Sequence, residues 1–230
     1  MCCLLIIPAR GGSKRIPRKN IKMFFGKPML AYAIETAQHA DIFDEIMVST
    51  DDNEIAQVAK QKGASVPFYR SDELASDMAG TVPVLLEVIQ KYREIGQEFE
   101  YVCCLYPCTP LLRAETLREA YNELENKRVS AIVPVVKYSY PPQRGLRILG
   151  EKLEMIDESQ YQMRSQDLES IYHDAGAFYF VKVTDLLKEQ RLFMKNTLPL
   201  VLSELQVQDI DTEEDWELAE FKYKIQRERE

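Results

Sequence analysis

Short, almost wholly apolar runs recur along this chain and alternate with segments of helical periodicity. Three of these runs are Cys3–Ile7, Tyr101–Leu105 and Ala131–Val136. Continuous apolar runs of this length are typical of strands that are buried on both faces of a parallel sheet. The alternation therefore predicts an α/β fold, with a doubly wound, mostly parallel sheet and crossover helices on both of its faces.

The remaining regular elements are predicted from shorter patterns of the same kinds. Further strands are expected at Glu45–Ser49, Val66–Tyr69, Ala177–Val183 and Val201–Ile210. Helices are expected after Pro28, after the capping pair Asp51 and Asp52, from Thr81, over Arg113–Asn126, from Thr184 and after Thr212. At 230 residues, these elements fit a single domain that spans residues 1–230.

The alternation of strands and helices is interrupted between Lys137 and His173. Two short stretches there, Leu146–Leu149 and Lys152–Ile156, flank Gly150 and predict a β-hairpin. This region is too polar to form a core of its own, so we expect residues 138–173 to form a small β-rich arm that packs on another surface. The alternative is a mobile surface excursion.

The balance of charge limits the partners that the chain can bind. The formal net charge is −8, which argues against binding to nucleic acid or to an anionic membrane. No apolar run approaches the length that spans a bilayer, and the apolar start lacks the basic segment of a signal peptide. A cytoplasmic location is therefore the expectation. Five cysteines without a C-x-x-C spacing, and only two histidines, argue against a zinc site.

The segment that follows the first strand differs from the acidic remainder of the chain. It contains Gly11, Gly12 and two prolines, which prevent a regular element. A glycine-bearing, cationic loop in this position of an α/β fold is typical of a phosphate site, whereas an ordinary basic surface loop is the alternative. The spacing matches neither G-x-G-x-x-G nor a P-loop. The cations of the loop are Arg10, Lys14, Arg15, Arg18 and Lys19.

The order of residues in this loop, Gly-Gly-Ser-Lys followed by Pro-x-Lys-Asn, resembles the signature of the acylneuraminate cytidylyltransferases. These enzymes transfer CMP from CTP to acidic nine-carbon sugars. The resemblance implies that Arg10 and Lys19 act in catalysis and that Asn20 faces cytosine, while Arg15 and Arg18 are expected to be solvated charges at the rim. It implies nucleotide-binding roles for Arg10, Gly12, Ser13, Lys14 and Asn20.

Asp209 and Asp211 form a second candidate cluster. They are two residues apart at the end of a predicted strand, where both carboxylates would point to one face. Two carboxylates together with phosphate oxygens suit Mg²⁺, although two aspartates before a helix are by themselves more typical of helix caps. The string Gln208–Thr212 matches the metal motif of the resembled family. The resemblance therefore implies an Mg²⁺ site at both aspartates, with Asp211 as a catalytic residue.

Other positions that match the family lie near the ends of predicted strands. Arg70 and Thr81 are implied to bind the nucleotide, and Thr81 is equally typical of a helix cap. The segment Leu105–Arg113 corresponds to the family's sugar pocket, where Tyr106 replaces the glutamine of the sialic acid enzymes. That replacement argues against N-acetylneuraminate as the acceptor.

The segments Tyr138–Arg144 and Tyr161–Ala175 resemble the branch of the family whose acceptor is pseudaminic acid. The resemblance implies a homodimer in which the arm contacts the second subunit. It also implies sugar-binding roles, with a purely structural role as the alternative for each, for Arg144, Arg164, His173 and Asp174.

The expected reaction is transfer of CMP from CTP to the anomeric hydroxyl of pseudaminic acid, with release of pyrophosphate. Its product would serve the glycosylation of a bacterial surface structure such as flagellin. One alternative is the same reaction on legionaminate or N-acetylneuraminate. Another is a non-catalytic nucleotide-binding protein, which should lack a loop cation or a metal carboxylate. Since this chain retains Arg10, Lys19 and Asp211, the enzyme is the favoured interpretation.

Overall fold

The computed structural model describes residues 2–76 and 79–229, and strands within these ranges build one large sheet and two small ones. In chain order the strands are β1 (Cys3–Pro8), β2 (Met23–Phe24), β3 (Lys27–Pro28), β4 (Glu45–Ser49), β5 (Tyr101–Leu105), β6 (Ala131–Lys137), β7 (Leu146–Leu149), β8 (Lys152–Met155), β9 (Tyr172–Asp174), β10 (Phe178–Lys182) and β11 (Thr197–Leu202). The large sheet has the order β11-β6-β10-β5-β1-β4, with β9 beside β6. The small sheets are the ribbons β2-β3 and β7-β8.

Helices cover both faces of the large sheet. Leu5 and Ile7 of β1 share a buried cluster with α1, α2 and α5, whereas Leu4 and Ile6 share another with α4 and α6, so the doubly wound α/β prediction is confirmed. None of the helices in the described ranges is both long and apolar enough to cross a membrane. In chain order the helices are α1 (Met29–Ala40), α2 (Asn53–Gln61), α3 (Asp72–Ala75), α4 (Thr81–Glu94), α5 (Ala114–Lys127), α6 (Val183–Glu189) and α7 (Glu213–Glu228).

The directions of the strands bring several loops to one edge of the large sheet. β1 is parallel to β4 and β5, and β6 is parallel to β11. β10 runs antiparallel between β5 and β6, because the chain leaves β6 for the arm and re-enters the sheet at the same edge. The carboxyl ends of β1, β4 and β5 therefore meet the amino end of β10, and this edge is where α/β sheets bind ligands.

Two predicted strands are wrong. No strand forms at Val66–Tyr69 among the described residues, where the chain makes only an isolated bridge between Ser65 and Met47 of β4. The pairing does not continue because Pro67 has no N–H to donate to β4. The last strand ends at Leu202 instead of extending over Val201–Ile210, because Ser203 caps a 3-10 turn that stops the pairing with β6.

The predicted β-hairpin is confirmed, since β7 pairs with β8 around Gly150, whose φ is +63°. Leu146 stands opposite Met155, and Ile148 stands opposite Leu153, so these four apolar side chains lie on one face of the ribbon. Leu146, Ile148 and Leu153 are 56, 74 and 63% exposed. The hairpin thus presents an uncovered apolar face, which we call the hairpin face and which is typical of an interaction surface.

Aromatic side chains form a cluster beneath the ribbon β2-β3. Phe24 is fully buried, and its ring meets the rings of Tyr32, Trp216 and Tyr223 edge to face at 5.4 to 5.5 Å. Contacts of this geometry stabilise beyond the area that they bury. Tyr32 belongs to α1, and the other two rings belong to α7. Phe24 therefore connects the segment that follows the cationic loop to both helices.

We expect Phe24→Ala to lower the free energy of unfolding by about 3–5 kcal/mol, because it leaves a cavity between three rings. Urea denaturation would measure the loss. Phe221→Ala is the matched control, since Phe221 is 62% exposed on α7 and its truncation should change stability by less than about 0.5 kcal/mol. Similar losses in the two variants would contradict this role for the cluster.

Candidate active site

A cleft of about 410 Å³ opens at the carboxyl edge of the sheet, beside the ends of β1 and β5. Most of the loop residues that are predicted to bind the nucleotide lie together in its wall, and they face one of the two predicted metal carboxylates. The cleft is lined by Pro8, Arg10, Ser13, Lys14, Arg15, Ile16, Lys19, Asn20, Pro107 and Asp211.

The cationic loop is fixed by two aspartates that follow β4. The N–H of Gly11 donates to Asp51 Oδ1 at 2.9 Å. Arg18, in the left-handed conformation with φ of +56°, donates from both Nη atoms to Asp52 at 2.5 and 3.0 Å. Asp52 also caps α2, and its hydrogen bond from Arg18 holds its pKa at about 2. Arg18 is therefore an anchor of the loop rather than the solvated rim charge that was expected.

Gly11 lies so close to α2 that a side chain would not fit. A Cβ atom built on Gly11 would be 2.8 Å from Asp52 Oδ2, whereas one built on Gly12 meets no atom of the described residues within 4 Å. The first glycine of the pair is thus required by packing against Asp52. The predicted nucleotide-binding role of Gly12 stays a prediction.

Asn20 connects the loop to the segment that follows β5. It is buried, its Nδ2 donates to the carbonyl oxygen of Arg10 at 2.9 Å, and its Oδ1 accepts from the Cys108 thiol at 3.4 Å. Burial raises the pKa of Cys108 to about 12, so the thiol is neutral and able to donate. Asn20 therefore sets the distance between the two walls of the cleft, and its contact with cytosine stays a prediction.

Asp211 lies between two cations of the loop. Lys19 Nζ is 3.3 Å from Asp211 Oδ1, and Arg15 Nη2 is 2.8 Å from Asp211 Oδ2. Lys19 also donates to the carbonyl oxygen of Ile210. Arg15 is 65% exposed, as expected for a rim charge, but it contacts a predicted metal ligand. The loop and the predicted metal site are therefore joined by direct ion pairs.

Asp209 and Asp211 do not follow a strand as predicted, because an irregular segment carries them from β11 to α7. The capping box of Thr212 and Asp215 fixes the end of this segment, and Asp215 accepts from the N–H of Asp211 at 3.1 Å. Partial burial and the charge of Asp211 raise the pKa of Asp209. Among the described residues, no group of three or more histidine, cysteine, aspartate or glutamate side chains could hold a metal ion. A metal at this pair would take its remaining ligands from substrate or water.

Arg70 lies beneath the edge of the sheet rather than in the wall of the cleft. It is buried, and it donates from Nε to Ser49 Oγ at 3.1 Å and from Nη2 to the Ser49 carbonyl oxygen at 2.7 Å. Burial lowers its pKa, and the nearby charges of Asp51 and Glu87 oppose that shift. These contacts stabilise the end of β4, and a contact of Arg70 with the nucleotide stays a prediction.

A chain of side-chain contacts extends from Thr81 of α4 to Asp174 at the end of β9. Thr81 Oγ1 lies 2.8 Å from Tyr106 Oη, so Thr81 does not cap its helix, whose N-cap is Gly80. The Tyr106 ring meets the ring of Tyr179 edge to face at 5.7 Å, and Tyr179 donates to Asp174 at 2.5 Å. Burial raises the pKa of both tyrosines, so both hydroxyls stay protonated. Tyr179 is not predicted as a site residue from the sequence, because the apolar strand that carries it indicates a core position. Its hydroxyl is the feature that could have identified it, since a buried tyrosine hydroxyl needs a hydrogen-bond partner.

The other predicted sugar-binding residues lie in or beside the arm. Arg144 lines a shallow pocket of the arm and donates to Ser165 Oγ at 3.2 Å. Arg164 pairs with Asp167 at 2.7 Å. The ring of His173 lies 4.8 Å from that of Tyr138. These three described residues are therefore not among those that line the cleft.

Comparison with known proteins gives consistent matches over the whole chain. A family model described as Cytidylyltransferase matches residues 4–225. Pseudaminic acid cytidylyltransferase from Campylobacter jejuni serotype O:2 is 42% identical over 226 residues, which cover 98% of this chain and 97% of the relative. CMP-N,N'-diacetyllegionaminic acid synthase from Legionella pneumophila is 34% identical over 96% of this chain and 95% of the relative.

A solved structure resembles this fold at lower sequence identity. It is a CMP:2-keto-3-deoxy-manno-octonic acid synthetase in complex with CTP, with a TM-score of 0.69 and 17% identity over 96% of this chain and 97% of that chain. At this identity the likeness supports the fold alone.

We expect Gly11→Ala to lower the free energy of unfolding by roughly 1–3 kcal/mol in the absence of nucleotide. The added methyl group would overlap the Asp52 carboxylate, which Arg18 and the N–H groups of α2 hold in place. Gly12→Ala is the control, because its methyl group meets no atom of the described residues within 4 Å and should cost less than about 0.5 kcal/mol. The assignment would be wrong if urea denaturation gave the two variants the same stability.

Proposed function

The chain belongs to the cytidylyltransferase family, and from this premise we propose that it transfers CMP from CTP to the anomeric hydroxyl of pseudaminic acid. The anomeric hydroxyl gives up its proton to water and its oxygen forms a bond to the α-phosphorus. The bond from that phosphorus to the oxygen that bridges the α- and β-phosphates breaks, and pyrophosphate leaves with that oxygen. The proposal includes a cytoplasmic location, since CTP and the acceptor would both be available there.

The observation that carries the proposal is the cleft in which loop cations face Asp211. Phosphoryl and nucleotidyl transfer depend on alignment and on stabilisation of charge that develops on the phosphate oxygens. Arg10 and Lys14 line the cleft beside Lys19, so cations would surround a triphosphate bound there. Such cations would stabilise the leaving pyrophosphate, which is the chemistry that the reaction needs.

The donor set near Asp211 fits Mg²⁺, which the proposal includes. Asp209 and Asp211 offer carboxylate oxygens, the ligands that Mg²⁺ prefers, and substrate phosphates commonly complete such a site. Bound there, Mg²⁺ would neutralise charge on the triphosphate. Lys19 holds Asp211 towards the cleft through its own contact with that carboxylate, and the cap at Thr212 fixes the backbone.

Acceptor binding is proposed at Tyr106, Tyr179 and Asp174, which contact one another in that order. Thr81, which lies 2.8 Å from the Tyr106 hydroxyl, keeps its proposed role at the nucleotide. Tyr106 precedes Pro107, which lines the cleft, so a sugar bound here would lie beside a nucleotide in the cleft. The hydroxyl of Tyr106 and the carboxylate of Asp174 suit the hydroxyl and amide groups of an acidic sugar. Pseudaminic acid is favoured over legionaminate as the acceptor because of sequence identity. The chain is 42% identical to a pseudaminic acid cytidylyltransferase and 34% identical to a CMP-N,N'-diacetyllegionaminic acid synthase.

A homodimer is the second part of the proposal. An isolated two-stranded ribbon is only marginally stable in water, and the hairpin face of this one is exposed. Covering that face with a second copy of the chain would bury Leu146, Ile148 and Leu153. The same contact would bring Arg144, which lines the pocket beside Leu146 and Met155, towards the partner subunit and its acceptor.

The purified protein is given CTP and Mg²⁺ with pseudaminic acid, legionaminic acid or N-acetylneuraminic acid in parallel reactions. We expect pyrophosphate to be released fastest with pseudaminic acid. Asp211→Asn should lower kcat/KM by roughly a hundredfold or more, because it removes a carboxylate that would hold the Mg²⁺ that neutralises the triphosphate. Asp41→Asn, the same change at an exposed position after α1, should retain full activity. Absence of release with every sugar would refute the proposal, and preference for another sugar would refute the acceptor.

We expect Ile148→Glu to convert a dimer into a monomer in sedimentation experiments, because it places a charge in the middle of the hairpin face. Glu151→Lys, a charge change in the turn of the same hairpin, should leave the dimer intact. A monomeric wild-type protein, or a dimer in both variants, would contradict the assigned interface.

A further inference from the structure

Both carboxylate oxygens of Asp211 are engaged by cations, Oδ2 by Arg15 at 2.8 Å and Oδ1 by Lys19 at 3.3 Å. We propose that Arg15 competes with Mg²⁺ for Asp211 in the free enzyme and moves to the triphosphate when CTP binds, which frees Asp211 Oδ2. This inference rests on the proposed function, and it assigns to Arg15 a role that its exposed position does not suggest.

The two cations are held very differently. The Lys19 side chain is 20% exposed and also donates to the carbonyl oxygen of Ile210, so it is fixed between two acceptors. The Arg15 side chain is 65% exposed, and ion pairs of such exposed cations contribute little to stability because water and salt screen them. Arg15 is therefore the cation that can leave Asp211 at low cost.

The cleft offers Arg15 a second acceptor once a nucleotide is present. Arg15 lines the same cleft as Arg10, Ser13 and Lys14. A triphosphate carries more negative charge than one carboxylate, and a planar guanidinium can bind phosphate oxygens through two hydrogen bonds. The exchange needs no movement of α7, because the N–H of Asp211 remains bonded to Asp215.

The exchange makes the binding of nucleotide and metal cooperative. Without CTP, a metal ion must displace Arg15 from Asp211, whereas with CTP that contact is already lost. By linkage, the factor by which CTP increases the affinity for the metal equals the factor by which the metal increases the affinity for CTP. Arg15 is thus the residue that would couple the binding of CTP to the binding of the metal.

The test is binding of Mn²⁺, followed by the electron paramagnetic resonance of the free ion, with and without CTP and in the absence of any acceptor. Binding of Mn²⁺ by CTP in solution is measured separately and subtracted. Arg15→Ala should bind Mn²⁺ about two- to fivefold more tightly than wild type without CTP, and the further gain from CTP should be smaller. Lys22→Ala is the matched control, because Lys22 pairs with Glu213 at 2.7 Å and its loss removes a nearby positive charge without releasing Asp211.

The outcomes separate this inference from the proposed function. If Asp211→Asn loses Mn²⁺ binding but Arg15→Ala binds as wild type does, the inference on Arg15 is wrong and the metal site stands. If Asp211→Asn binds Mn²⁺ normally, the metal site itself is wrong. Equal tightening in Arg15→Ala and Lys22→Ala would show a general effect of charge and would also overturn the role of Arg15.

Discussion

The ion pair between Arg18 and Asp52 determines where the cationic loop lies. The loop has glycines and prolines and no strand ladder of its own, so its position depends on contacts from outside it. Asp52 provides such a contact because the N–H groups at the start of α2 already orient its carboxylate. Since β4 is parallel to β1, the cap of α2 lies beside the loop. A helix cap thereby positions the cations that line the cleft.

The sheet could be predicted from the sequence because apolar runs that must be buried on both faces allow few arrangements. Helix starts were predictable for a similar reason, since Asp52 and Thr212 are residues that satisfy free N–H groups and do so in the structure. The two strand errors have a different origin. Residue preference favoured strands there, but Pro67 lacks a donor and Ser203 forms a competing turn, so local hydrogen bonding overrides the preference.

The candidate site was predictable only where its residues are contiguous. The loop motif predicted the cations of the cleft, but Arg15 and Arg18 look alike in the sequence, and only the fold separates one that contacts Asp211 from one that contacts Asp52. Tyr179 shows the same limit. An apolar strand indicates that this side chain is buried, yet its edge-to-face contact with Tyr106 depends on the antiparallel pairing of β10 with β5, which no pattern of residues specifies.

The arm leaves the sheet after β6 and returns through β9 and β10 at the same edge. Lengthening such an excursion costs little in chain entropy. The described residues 138–173 make no strand pairs with β1, β4 or β5, the strands that support the cationic loop. The architecture therefore divides into two parts that can change independently during evolution. A lineage could alter the sugar contacts proposed for Arg144 and Arg164 by changing the excursion, while the cationic loop stays as it is.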